Sequence, residues 1–357
     1  MIRPIRLLAA ILAALPLAVF AQSVSTDPVG FVTLTTLSNS DTIFSTPLAQ
    51  PEVFRGSVGT LGTVTVTATN STTTVQASGT PGWTANAFVY ASGTQSNTYY
   101  LRFRTGAKAG CYYTVTGNTT DTLTINLAGD LLTGAAPGDQ FAIIPYWTLG
   151  TAFPASAAGT SFQASTAFTR NTEILFPDQT SVGFNLAPTA IYYFLGSNWC
   201  QAGQPTSVSY NDTVLLPDSY VTIRNTAFTG TISVLGGVIT TPQSTPINSY
   251  QTTAQDNFVA LSYPVDTTLN NLGLSSTFVP STAFSRQDQL LVFDNTTPAV
   301  NKSPSAVYYY LNGAWRQAGQ NSSTDFGTDV IKAGSGFIVR KAVNASGPGV
   351  ADWVFTP

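Results

Sequence analysis

The sequence has 357 residues, of which 14 are Lys or Arg, 17 are Asp or Glu and none is His. Only 9% of the chain is charged, against about 25% in an ordinary soluble domain. The lack of His removes the commonest general base and metal ligand, so we expect no Ser-His or Cys-His catalysis, no metal and no other cofactor. A net charge of −3 supplies no basic surface for nucleic acid, whereas 43% hydrophobic residues suffice for a folded core.

The N-terminus has the features of a secretory signal peptide. Arg3 and Arg6 precede an apolar run at 7–20, and small residues stand before a predicted cleavage between Ala21 and Gln22. This run is shorter than the roughly 20 residues that a spanning helix needs, and no later apolar run is long enough either. We therefore expect an exported mature chain of net charge −5 without a membrane span, located in the periplasm, at the cell surface or outside the cell.

Two stretches of the chain repeat each other at an offset of 116 residues. The hexapeptide STAFTR at 165–170 recurs as STAFSR at 281–286, and the match continues without a gap until Arg224 meets Arg340. An ungapped match of this length predicts a duplicated domain.

A third module interrupts the first copy. Similar segments at 44–48 and 261–265 open the two copies, but the next shared dipeptide, Leu-Gly, lies far downstream only in the first copy. We expect an insertion at a surface loop. The predicted domains are a signal peptide at 1–21, the first copy at 22–52 and 148–248, the inserted module at 53–147 and the second copy at 249–357.

All three modules have the pattern of β-structure. Asn312-Gly313 separates two apolar runs in the second copy, which is a strong hairpin signal, and the insert alternates Thr with apolar residues at 63–67 and 122–127. Gly and Pro, 29 and 21 in number, punctuate short runs throughout. The predicted fold class is all-β, with two homologous small β-sandwich or barrel modules, the first of which carries the inserted third β-module.

Five segments spread over the mature chain are distinctive. They are DPVGFVTL at 27–34, GWTAN at 82–86, PYWTLG at 145–150, QDNFVAL at 255–261 and LVFDN at 291–295. Together they resemble an uncharacterised family of exported β-rich proteins of Verrucomicrobia-type bacteria. The resemblance covers essentially the whole mature chain and implies export and β-rich architecture, but it implies no activity, cofactor or catalytic residue.

Charged residues that recur in both copies predict structural ion pairs. The repeated pairs are Arg170 with Asp178 and Arg286 with Asp294. In a chain this poor in charge, we interpret them as ion pairs that fix a loop to a sheet, and we expect the same role for Arg224 and Arg340. Glu173 and Asp178 are the best carboxylate pair for a hydrolase, but Gln289 replaces Glu173 in the second copy.

Aromatic residues of the repeated hairpin are the main candidates for ligand contact. Because side chains alternate across a strand, one face of rings belongs to the core and the other is free to act as a platform for sugar stacking. The candidate binding residues are Tyr193, Trp199, Tyr309 and Trp315. Packing in two layers explains the same pattern without a ligand, and both interpretations stay open.

The two cysteines also allow two interpretations, a disulfide or two buried thiols. Cys111 and Cys200 belong to a chain predicted to be exported, where a disulfide is allowed. Two buried thiols fit the same count, since sequence spacing does not show proximity.

The sequence thus favours an exported, non-catalytic structural or adhesive β-protein of the cell surface or envelope. Its expected partners are surface polysaccharide or other envelope proteins. One alternative is a carbohydrate-binding module that uses the hairpin aromatics, and a further one is a hydrolase that depends on Asp and Glu.

Overall fold

A computed structural model describes residues 28–67, 70–89, 94 and 97–357. The predicted signal peptide lies outside these residues. Strands dominate the described part of the chain, and the predicted all-β class is confirmed.

The strands are named in chain order. They are β1 (Val29–Thr36), β2 (Ser40–Ser45), β3 (Phe54–Leu61), β4 (Thr65–Val66), β5 (Ser71–Ala77), β6 (Tyr99–Phe103), β7 (Tyr112–Asn118), β8 (Thr122–Asn126), β9 (Gln140–Pro145), β10 (Trp147–Thr148), β11 (Thr172–Phe176), β12 (Ala190–Leu195), β13 (Asn198–Gln201), β14 (Val214–Leu215), β15 (Tyr220–Asn225), β16 (Gly230–Gly237), β17 (Gln243–Ser249), β18 (Gln255–Ala260), β19 (Thr267–Thr268), β20 (Gln289–Val292), β21 (Ala306–Leu311), β22 (Ala314–Gln317), β23 (Val330–Ile331), β24 (Gly336–Lys341) and β25 (Gly349–Phe355). The helices are α1 (Leu149–Ala152) and two 3₁₀ turns, Ala155–Ala157 and Leu274–Thr277. Among the helices of the described residues, none has the length and apolar character to cross a membrane.

Strands β3 to β9 form a closed six-stranded barrel. Its order is β3-β9-β6-β7-β8-β5, β5 pairs back to β3, and the short β4 lies beside β5. Closure leaves the six strands without a free edge. Alternate side chains fill the interior, among them Val75, Leu101, Phe103, Val115, Leu123, Ile125 and Phe141.

Two five-stranded antiparallel sheets have the same strand order. One is β2-β15-β11-β12-β13 and the other is β18-β24-β20-β21-β22. Each is accompanied by a short pair, β10-β14 or β19-β23, and by a two-stranded ribbon, β1-β16 or β17-β25. We call these units the first and second repeat. The connection after the first strand of the sheet is short in the second repeat, at 261–266, whereas in the first repeat it contains the barrel.

Each repeat is a two-layer structure whose ribbon covers one face of its sheet. In the first repeat, Ile232 and Val234 of the ribbon pack with Ile174 and Ile223 of the sheet. In the second repeat, ribbon residues such as Trp353 pack on the equivalent sheet face. The strand alternation therefore directs one face of each sheet to its own core and leaves the other face for contacts between modules.

The outer sheet faces of the two repeats meet around a small apolar cluster. Its buried members are Ile43, Tyr220, Phe258, Ala260, Leu291 and Ile338. The two edges of this contact are closed by equivalent hydrogen bonds, Asp41 N to Ala299 O at 2.7 Å and Asp256 N to Gly183 O at 2.9 Å. Equivalent groups thus meet reciprocally, as in an isologous dimer interface within one chain.

The barrel is hydrogen-bonded to the first repeat and to the segment that joins the two repeats. Tyr112 of the barrel donates a hydrogen bond to Asp218 of the first repeat at 2.7 Å. Arg102 Nη2 donates to the carbonyl oxygens of Thr241 and Pro242, in the segment that joins the two repeats, at 3.2 and 2.8 Å. The barrel is therefore bound to the linker between the repeats as well as to the repeat that contains it.

Candidate functional site

The two candidate tryptophans are core residues. Trp199 is 0% exposed and Trp315 is 1% exposed. The Trp199 indole donates a hydrogen bond to Phe153 O at 3.0 Å and packs on Phe162 and Phe194. The prediction that Trp199 and Trp315 contact a ligand is wrong, because each ring faces the layer between sheet and ribbon.

The two candidate tyrosines lie on the opposite sheet face, where arginines cover them. Arg170 Cζ lies 5.5 Å from the ring centroid of Tyr193, and Arg286 Cζ lies 5.9 Å from that of Tyr309. Tyr309 is only 9% exposed. Each ring is therefore engaged in a cation–π contact, and neither forms the open flat platform that sugar stacking needs.

The predicted pairing of Arg170 with Asp178, and of Arg286 with Asp294, is also wrong. Arg170 Nη1 donates to Glu173 at 3.0 Å, while Arg286 lies over its tyrosine. The reason is that backbone amides close in sequence already bind the two aspartates.

Asp178 and Asp294 each begin a tight turn. Asp178 accepts hydrogen bonds from the amides of Thr180 and Ser181, both at 2.9 Å, and Asp294 accepts one from Thr296 N at 2.7 Å. Hydrogen bonds from turn hydroxyls and amides hold the pKa of both carboxyls down, to about 2. Asp178 is thus held as a carboxylate by its own turn, and Glu173 is bound by Arg170 at 3.0 Å.

Arg224 and Arg340 do act as the expected structural ties. Arg224 donates to both carboxylate oxygens of Asp41 at 2.7 and 2.8 Å, and its Nη2 also donates to Asn301 Oδ1 of the other repeat at 2.7 Å. Asn301 N returns a hydrogen bond to Asp41 at 2.7 Å. One repeat thus supplies the asparagine that completes the ion pair of the other.

The second tie is equivalent to the first. Arg340 donates to Asp256 at 2.7 and 2.9 Å and to Asn185 Oδ1 at 2.7 Å, and Asn185 N donates to Asp256 at 2.8 Å. Asn185 and Asn301 both have φ of +54°, a left-handed conformation that Asn tolerates better than most residues. These charges are committed to the contact between repeats and are not free for a ligand.

Two phenylalanines that were not among the predicted site residues are the most exposed large hydrophobic residues of the described part of the chain. Phe168 and Phe284 are 99% and 101% exposed, and they occupy the same position of the repeated hexapeptide. The turns beneath them are closed identically, by Thr166 N to Thr169 O and by Thr282 N to Ser285 O, both at 2.9 Å. The repeated motif itself was the available signal, but its pattern does not show which side of the turn faces solvent.

The hexapeptide is fixed to its sheet in both repeats. Ser165 N donates to Phe194 O and Ser281 N donates to Tyr310 O, each at 2.7 Å. The polar members of the motif therefore build the turn, whereas the phenylalanine side chain is fully exposed. We call Phe168 and Phe284 the aromatic tips.

A large cleft lies between the barrel and the ribbon of the first repeat, with a volume of about 750 Å³. Glu52, Arg55, Arg102 and Arg104 line its barrel side, and Leu235 is among the ribbon residues on the other side.

Both cysteines are free thiols. Cys200 is buried in the first repeat and Cys111 is half-buried in the barrel. Burial raises the pKa of both thiols, so neither has the features of an activated nucleophile. Among the described residues, no group of three or more Asp, Glu or Cys side chains is placed to hold a metal ion.

A scan against protein-family models matched none, and neither the curated protein sequences nor the solved structures gave a match. The function of the chain is therefore inferred from its own residues.

Proposed function

We propose that this protein is an exported, non-catalytic adhesive β-protein of the cell envelope, and that it binds another envelope protein through the aromatic tips. The single observation that carries this proposal is the full exposure of Phe168 and Phe284 at equivalent positions of two hydrogen-bonded turns. Export rests on the predicted signal peptide.

A protein partner fits the tips better than a saccharide does. An exposed Phe has no polar group to accompany sugar stacking, whereas aromatic residues and Arg are enriched where proteins bind each other. Arg170 and Arg286 follow their tips by two residues and are exposed, although each also lies over a tyrosine of the sheet. Each hexapeptide therefore offers an apolar anchor and a guanidinium, residue types typical of binding hot spots.

Two equivalent tips on one chain also permit bivalent attachment. When one tip is bound, the second meets its partner at a high effective concentration, and this raises the overall affinity without a new kind of contact. A duplicated module with two tips thus suits retention on an envelope that displays many copies of the partner.

The test is sedimentation of the purified mature protein with isolated cell envelopes. We expect wild-type protein to sediment with the envelopes, Phe168→Ala and Phe284→Ala each to weaken binding at least about tenfold, and the double variant to lose it. The matched control is Phe31→Ala, which removes an exposed phenylalanine (64%) that has no counterpart in the second repeat. All four variants should unfold at wild-type temperature, because the removed rings make no core contact.

Two results would overturn the proposal. Binding that is unchanged in the double variant would place the adhesive surface elsewhere. Binding that survives digestion of the envelopes with protease before the protein is added would show that the partner is a polysaccharide.

A further inference from the structure

The cleft between the barrel and the first repeat has one charged wall. Glu52 accepts hydrogen bonds from Arg104 Nη1 at 2.5 Å and from Arg55 Nε at 2.8 Å. Arg102, also on this wall, is only 7% exposed, and its Nη2 is bound to the two linker carbonyls already described.

Arg102 and Arg104 bring two guanidinium groups to this wall. Arg104 pairs with Glu52, whereas Arg102 forms no ion pair within the described part of the chain. Burial lowers the pKa of the Arg102 guanidinium to about 10, and the neighbouring charge of Arg104 contributes. The Arg102 guanidinium is buried next to that of Arg104, and the electrostatic cost of placing these two cations together falls when an anion binds.

The opposite wall is apolar and hydroxylated. Leu235, which is 63% exposed, and Val29 come from the ribbon, and Thr240 and Thr241 follow it. The backbone of the ribbon is already paired at this point, since Ala49 and Gly237 exchange hydrogen bonds of 2.9 and 2.8 Å. The edge of β16 is therefore closed to strand addition at Gly237, and a ligand at this point is recognised by side chains.

We propose that this cleft binds a saccharide that carries carboxylates, of the uronic acid class. Arg104 and its neighbours would bind the carboxylate, because a guanidinium presents paired N–H donors to its two oxygens. The C–H face of the sugar ring would lie on Leu235 and Val29, and its hydroxyls would bond to the threonine side. The volume of about 750 Å³ lies in the range of roughly 300–1,000 Å³ usual for small-ligand sites.

The test is calorimetric titration of the mature protein with a galacturonic acid hexamer. The matched ligand is the same hexamer with its carboxylates methyl-esterified, which preserves the sugar rings and removes the charge. We expect the acidic hexamer to bind, the ester to bind at least tenfold more weakly, and 0.5 M salt to weaken the acidic complex.

Two variants locate the site. Arg104→Gln removes a guanidinium. Leu235→Glu places a negative charge, which repels the carboxylates of the ligand, on the opposite wall. Because Leu235 is exposed, this substitution should leave folding intact. Each should weaken binding at least tenfold. Thr33→Glu is the control, because Thr33 is exposed on the same ribbon outside the cleft.

The proposal is overturned if the hexamer does not bind, if the ester binds equally well, or if Leu235→Glu binds like Thr33→Glu. Binding of a polyglutamate peptide with equal affinity would also overturn it, in favour of an acidic peptide. The double variant of the aromatic tips should retain hexamer binding, so failure of this site and failure of the adhesive function are distinguishable.

Discussion

Tyr220 and Gly336 occupy equivalent positions of the two repeats, and they touch each other across the contact between them. A Cβ atom added to Gly336 would lie 2.4 Å from Cγ and Cδ1 of the Tyr220 ring. A self-complementary interface brings equivalent positions together at its axis, where two tyrosines would collide. Because Tyr220 faces a glycine, the ring fits without a collision. The first repeat is therefore complementary to the second repeat and not to a copy of itself.

The first prediction concerns Gly336→Ala. The added methyl group forces the buried Tyr220 ring to move, so we expect a loss of about 1–3 kcal/mol in the free energy of unfolding, measured in urea. Gly117→Ala is the control, since the nearest atoms to its Cβ would be 3.8 Å away. In a Tyr220→Ala background Gly336→Ala should cost much less, and an equal cost in both backgrounds would contradict the contact.

The second prediction compares the residues that the two repeats have at an equivalent pair of buried positions. Asp288 and Lys341 form a buried ion pair in the second repeat, where the first repeat has Thr172, whose hydroxyl donates to Asn225 at 2.7 Å.

Lys341→Asn alone leaves the Asp288 carboxylate buried without its cation, and we expect it to lower the free energy of unfolding by about 3–5 kcal/mol. The double variant Asp288→Thr/Lys341→Asn installs the neutral pair of the first repeat and should lie within about 1 kcal/mol of wild type. A double variant as unstable as the single one would show that the two positions are not interchangeable.

The internal repeat predicted which residues are equivalent, but not which residues touch. The offset of 116 matched Trp199 with Trp315, and the structure places both in equivalent cores. Arg224 instead pairs with Asp41, 183 residues away, because the strand that carries Asp41 joins the sheet from before the insertion. Equivalence follows from local similarity, whereas proximity depends on strand order.

The candidate site was harder to predict for a similar reason. The alternation of the hairpin correctly separates Trp199 from Tyr193, but it does not reveal which face is the core. The aromatic tips depend on the orientation of a turn, and the cleft depends on how the barrel packs on the first repeat. Both are properties of tertiary structure that residue patterns do not contain.

The third prediction concerns the thiols. Because Cys111 and Cys200 are free, we expect two titratable thiols per chain in protein denatured without a reductant. In the folded protein both should react more slowly, since burial raises the pKa of each and reduces the thiolate fraction. Finding no thiols in the denatured chain would instead indicate a disulfide.

The last prediction is a loss of stability in acid that depends on Asp178 and Asp294. Their folded pKa values of about 2 lie below the ordinary 3.8, so their contribution is complete above about pH 4 and disappears as the pH falls toward 2. We expect the free energy of unfolding of wild type to fall through this window. Asp178→Asn/Asp294→Asn should fall less steeply, because the amide does not titrate and its contribution to the turn is the same at every pH in this window. Parallel curves between pH 4 and 2 would show that these turns add nothing to acid stability.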